Sequence, residues 1–357
     1  MRVFRLLTLC SLVLLPLRAA DPALLSMARP DSNIVMGIDV AGFTSSPWFR
    51  EALQQAGTQN DDVGKMMAAL GPDPWQNLHE IVITAKLDQF SGDTEPKNFL
   101  IAARGSFDGS QFTDLLCQQG CESEDYRDFK LLRLSDGAKQ MYFTALDSQY
   151  AALGAYDDVR QAVDRRAMAT QSMIDAGMQN SIGRLSRNHL WLTTRGPFQD
   201  AMGGAAGQMV PADTVSKVVG LGLGVFLGRD IDLTLELASL TDQDAKQLYD
   251  MANGFLALMK AGDNPPETAA MLDNLQLQQN GSLLAASVRI PEAQIRQQMA
   301  EKLGQYQGGS GVAPAQSVGG TEQAAPPPPP PPAKRRKGGI RIFGLDEEPV
   351  EVPTQDR

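Results

Sequence analysis

Apolar residues alternate with polar or small ones in a series of short runs along the chain, and each run predicts a β-strand. In the first half the runs are "NIVMGIDV", "EIVITAKL", "NFLIAARG", "DFKLLRL", "QMYFTAL" and "YAALGAY". In the second they are "HLWLTTR", "VGLGLGVFL", "IDLTLELAS", "LQLQQN" and "SLLAASVRI". Between them, three-to-four spacing of apolar residues predicts helices in "SSPWFREALQQ", "GSQFTDLLCQQ", "DDVRQAVDRRA", "TDQDAKQLYDMANGFLALMK" and "PEAQIRQQMAEKL". A less marked helix starts at Phe198. Ser46 is the expected N-cap of the first helix, with Pro47 in its opening turn.

Both halves run strand, helix, hairpin, helix, hairpin, helix. This order predicts an α+β fold made of two tandem units of the ferredoxin-like type with mainly antiparallel sheets, at residues 21–166 and 187–304. Residues 167–186 are expected to connect them as a helix and loop. Joining the units edge to edge would protect strands otherwise left open. A local echo fits duplication: "NFLIAARGSF" and "HLWLTTRGPF", 91 residues apart, each lead a strand into Arg, Gly and Phe. The echo matches the third strand of one half to the first of the other, so it speaks for a shared way of ending a strand rather than a strict register.

Ahead of these units, Arg2 and Arg5 precede the run Leu6 to Leu15, which Pro16 breaks before the small residues Ala19 and Ala20. This is the pattern of a secretory signal over residues 1–20, with the mature chain beginning near Ala20 or Asp21. Cys10 follows Leu9 rather than the small residue that lipid attachment requires. No later run is long enough for a membrane helix, so a periplasmic or secreted protein without a transmembrane segment is expected. Loss of the signal leaves 29 basic against 42 acidic residues, a net charge near -13, which sets the chain against nucleic acid as a partner.

The chemistry-bearing residues are few. Cys117 and Cys121 are the cysteines that survive maturation, and an oxidising compartment favours a disulfide between them, with Gly120 available for the turn. A continuous helix would set that spacing against bridge geometry. "GLGLGVFLG" has the glycines of a dinucleotide loop, but it alternates and precedes another strand. Gly220, Gly222 and Gly224 are instead expected on one sheet face, where a helix approaches closely. His79 and Glu80 open a metalloprotease-like "HE" whose second histidine is absent, and His189 stands far away, so no metal and no cofactor are expected. The acidic pairs Asp61–Asp62 and Asp157–Asp158 read as surface or helix-start charges before they read as glycosidase carboxylates. Arg104 and Arg195, at strand ends before Gly, remain candidates either for binding an anion or for pairing with local carboxylates.

Beyond residue 304 the composition turns to Gly, Ser, Gln and Pro, which predicts a disordered linker at residues 305–339 and a short interaction motif at residues 340–357. Pro326 to Pro332 form a stiff spacer before the basic block Lys334, Arg335, Arg336 and Lys337. Ile340, Ile342, Phe343 and Leu345 then lie in a segment suited to adding a strand to an exposed sheet edge. In element order and in phrases such as "RNHLWLTTRGP" and "IDLTLELAS", the chain resembles a class of uncharacterised secreted bacterial α+β proteins. That resemblance supplies no active residues and weighs against enzyme chemistry. The expectation is a non-enzymatic binding or scaffold protein that contacts an envelope component or a protein partner. A hydrolase of envelope polymers and a carrier of apolar ligands stand as alternatives.

Overall fold

Twelve strands pair into one sheet, β1 (Ile34–Asp39), β2 (Leu78–Lys86), β3 (Asn98–Gly105), β4 (Glu122–Tyr126), β5 (Phe129–Asp136), β6 (Lys139–Ala145), β7 (Tyr150–Gly154), β8 (Leu190–Arg195), β9 (Val218–Leu227), β10 (Ile231–Ser239), β11 (Gln276–Asn280) and β12 (Leu283–Ile290). They belong to a computed structural model that describes residues 20–52, 77–87, 98–107, 121–136, 139–168, 171–196, 198 and 216–297. The chain divides into Met1–Gln305 and Tyr306–Arg357, and the second unit, with the expected tail motif, lies outside the described residues.

The sheet order is β11-β12-β10-β9-β8-β1-β2-β3-β7-β6-β5-β4. Its middle is the antiparallel pair β1–β8, the first strand of each half. Counted outward from that pair, one half runs β1-β2-β3-β7-β6 and the other β8-β9-β10-β12-β11, the same order, with β5 and β4 added at the first half's edge. Every pairing in the sheet is antiparallel. A ferredoxin-like unit needs parallel neighbours joined by a crossover, so that part of the expectation is corrected. Each half's first strand pairs directly with its second (β1 with β2, β8 with β9), and so no parallel crossover arises.

Helices pack on both faces of the sheet. They are α1 (Pro22–Met27), α2 (Val40–Ser45), α3 (Tyr156–Ala167), α4 (Ala176–Leu185), α5 (Asp242–Ala261) and α6 (Pro266–Asn274), with further helical residues at 47–52 and 292–297. Leu24 and Met27 of α1, Val159 and Val163 of α3, and Met178, Ile182 and Leu185 of α4 pack on Val35, Val82, Leu100 and Trp191 of the sheet. In α3 and α4 these positions recur at helical spacing, so each helix presents one apolar stripe. Thus α4, in the expected connecting segment, is part of the core. α5 packs on the opposite face, where Leu248 joins Phe198, Val218 and Leu284. Local capping follows the sequence: Ser46 Oγ accepts from Phe49 N at 3.1 Å, and Thr241 Oγ1 accepts from Asp244 N at 3.1 Å.

Glycine sets two close approaches. Gly222 takes α4 against the sheet, where a Cβ would lie 2.7 Å from Leu185 Cδ1 and 2.9 Å from Ser181 Oγ. Gly37 takes the Trp191 indole from its partner strand across the central pair, and a Cβ there would overlap the ring. We predict that Gly37→Ala destabilises the protein by about 1–3 kcal/mol through overpacking. Gly254→Ala, in α5 with nothing within 4 Å of the added carbon, should stabilise by about 0.5–1 kcal/mol. Urea unfolding of both variants measures the contrast, and equal midpoints would contradict it.

Candidate functional site

Two polar centres lie on the sheet face that α1, α3 and α4 cover. The first surrounds Glu80 in β2, a strand whose Glu80, Val82 and Thr84 all point inward. Glu80 is 8 % exposed; its Oε2 accepts from Arg104 Nη2 at 3.2 Å and its Oε1 from the Asp21 backbone N at 3.1 Å. Asp21 in turn caps α1, its Oδ1 accepting from Ala23 N at 2.8 Å. Its Oδ2 accepts from the Tyr150 hydroxyl at 2.9 Å and lies 3.1 Å from Arg104 Nε. Burial pushes the Glu80 carboxyl above the usual carboxylate range, against the lowering effect of the Asp21 amide and Arg104.

The far end of α1 is held as firmly. Arg29 pairs with Asp158 in the first turn of α3, and Arg165 Nη2 donates to the Met27 carbonyl at 2.6 Å. Burial raises the Asp158 carboxyl, with Arg29 acting in the other direction. Asp157 and Asp158 do stand at a helix start, but no side chain caps α3, and Asp158 turns inward to Arg29.

The second centre lies between α4 and strands β8 to β10, beside a pocket of about 290 Å³. Glu236 is 5 % exposed and accepts from Arg184 Nε at 2.7 Å, Arg184 Nη2 at 2.8 Å and Ser181 Oγ at 2.9 Å. Arg195 lines the same pocket and pairs with Asp175, the N-cap of α4. The two arginines singled out by sequence therefore share one role. Arg104 holds Asp21, the N-cap of α1, and Arg195 holds Asp175, the N-cap of α4, each helix leading into the first strand of its half. They come from different strands, β3 and β8, and belong to different centres.

Sequence reasoning missed Glu236 and Arg184, and it met Glu80 only as half of an incomplete metalloprotease-like pair. A signal existed for Glu80, which shares its strand face with Val82. None existed for Glu236, because the leucines of "IDLTLELAS" mark the opposite face as the one to bury. That opposite face is exposed at its centre: Leu235 is 43 % exposed and its cross-strand neighbour Leu223 is 40 % exposed. On α5, Met251, Phe255 and Leu258 add an exposed apolar stripe.

His189 is buried, and its Nδ1 accepts from Leu227 N at 3.1 Å, while His79 stands on β2. Among the described residues no group of three His, Cys, Asp or Glu side chains gathers as a metal site, and no helix is long and apolar enough to cross a membrane. Cys121 is disulfide-bonded; Cys117, Asp61, Asp62 and the tail residues Lys334 to Leu345 lie outside the described residues.

No protein-family model matches the chain, and no curated protein matches it significantly. Among solved structures, crystal form III of TP0453 is similar with a TM-score of 0.45 at 10% identity, over 79% of this chain and 99% of that one. Crystal form IV of TP0453 gives 0.45 at 11% identity, over 79% and 96%.

The two arginine pairs should differ sharply in weight. Arg184→Ala leaves a buried carboxylate with Ser181 alone and should cost about 2–4 kcal/mol. Arg195→Ala removes an exposed pair and should cost about 1 kcal/mol or less. Denaturant midpoints decide it, and a larger loss for Arg195→Ala would reverse the assignment. For the bonded cysteine, thiol labelling of the native protein without reductant should find Cys121 unreactive, whereas a reactive Cys121 thiol would reject the bridge.

Proposed function

We propose that the chain is a non-enzymatic, exported binding protein that takes a partner's apolar surface on the β8–β10 sheet face. The observation that carries this reading is the inversion along β10, where Glu236 is buried and Leu235 beside it is exposed. Apolar side chains left in water cost free energy unless something covers them, and such patches mark interaction surfaces. The two carboxylates with raised pKa, Glu80 and Asp158, are each engaged by an arginine, which supports a structural rather than a catalytic use. The common strand order of the halves supports reading them as copies of one unit. In this account residues 1–20 direct export to the periplasm or beyond, and Cys121 pairs with Cys117. The proline spacer presents Ile340 to Leu345 and the basic block to an envelope component or protein partner.

The test compares retention of partners from envelope extract by three immobilised chains. They are the intact mature protein, a Leu223→Ser/Leu235→Ser variant, and one with Ile340, Ile342 and Phe343 changed to Ser and Lys334 to Lys337 neutralised. Loss of roughly tenfold in retention by the sheet variant, at unchanged thermal stability, is expected because both leucines are already solvent-facing. A further loss is expected from the tail variant. Equal retention by all three would remove both the face and the tail from the account.

A further inference from the structure

Every polar group of Asp21 is matched. Its carbonyl accepts from Leu25 N at 3.1 Å, its Oδ1 caps Ala23, its Oδ2 meets Tyr150 and Arg104, and its nitrogen lies 3.1 Å from Glu80 Oε1. That last contact sets a carboxylate that is almost wholly buried against the nitrogen that follows the small-residue pair Ala19–Ala20. Besides Arg104 at its other oxygen, Glu80 receives a neutral amide N–H here, a weaker partner than a charged donor would be. An α-ammonium at the same atom would form a charge-assisted bond in its place.

We propose that Asp21 is the mature N-terminus and that Glu80 is the built acceptor for its α-ammonium, so that removal of the leader locks α1 onto the sheet. This rests on the export reading above. Hydrolysis of the Ala20–Asp21 peptide bond by a leader peptidase breaks that C–N bond. Water supplies the hydroxyl of the new Ala20 carboxyl group and a proton to the new Asp21 amine. Ala20 is 5 % exposed, so the bond is cleaved before the chain closes over it, and docking follows cleavage. The new cation would sit opposite Glu80, with Arg104 from β3, the Asp21 carboxylate itself and Tyr150 from β7 around it, and Arg166 of α3 beyond Tyr150. Burial disfavours the Glu80 carboxylate when an amide faces it, and the added cation opposes that cost.

The sign with pH follows. An α-amine that gains a carboxylate partner on folding has its pKa raised above the unfolded value of about 8. Its contribution is therefore complete below that value and is lost as pH rises through the folded pKa.

Two measurements test the proposal together. Intact mass of the exported protein reads the processing site: a chain beginning at Asp21 is expected, and one beginning at Ala20 or retaining the leader overturns the assignment of the terminus. Docking is read separately on chains released from a tag that leaves no added residue, beginning at Asp21, beginning with Gly-Ser-Ala20-Asp21, or beginning at N-acetylated Asp21. The free Asp21 chain should melt roughly 3–6 °C higher than the other two near pH 6.5. The advantage should vanish by about pH 10.5, where the amine is neutral. Glu80→Gln should abolish the advantage; because it also removes the Arg104 pair, all three chains should melt lower and at one common temperature. Equal melting of all three chains at neutral pH, or an advantage that survives Glu80→Gln, would overturn the docking whatever the mass shows.

Discussion

Five residue pairs, from Ile34–Thr194 to Ile38–Leu190, form the ladder between β1 and β8, and the continuity of the sheet rests on it. Each half begins its meander at that ladder. Without the pairing, β1 and β8 would present two long apolar edges to water, a template for association with other chains. With it, the halves share one sheet and Trp191 lies over Gly37. The small residue is required there because the indole occupies the space a side chain would take. The same pairing places the first helix of each half, α1 and α4, on one face, where they share a core through Leu24, Met27, Met178 and Ile182.

Those helices are short, and α1, at six residues, has too few internal hydrogen bonds to persist alone. Charge supplies what length does not. Asp21 is held by Arg104 and Tyr150 at one end of α1, and Arg165 and the Arg29–Asp158 pair act at the other. α4 repeats the device through Asp175 and Arg195 and adds the Arg184–Glu236 pair on its sheet-facing side. Drawing Glu236 inward turns the leucines of β10 outward. The stabilising polar contacts of one face and the exposed apolar surface of the other are therefore two consequences of one strand orientation.

The strands were legible because period-two alternation is a local signal, and "IDLTLELAS" and "NFLIAARG" became β10 and β3 residue for residue. β4 was missed because "ESEDY" carries no apolar alternation; four of its five residues are exposed. α1 was missed because six residues are too few to show a helical period. Sheet order was out of reach for a different reason: β1 and β8 are separated by most of the first half, and no local pattern records a non-local pairing. The ferredoxin-like expectation failed within each half, where the first strand pairs directly with the second, β1 with β2 and β8 with β9. The roles of Arg104 and Arg195 were half legible. Their matching positions before Gly suggested a shared task, but their partners, Asp21 and Asp175, are fixed only by the packing of α1 and α4.

Native-state hydrogen exchange of the protein tests the continuity of the sheet most directly. If the β1–β8 ladder joins the halves into one cooperative unit, amides of β1 and β8 should exchange only through global unfolding, with the same free energy as those of β2 and β9. Exchange in β1 and β8 at a lower free energy than in the flanking strands would contradict the account, as would two halves that open independently.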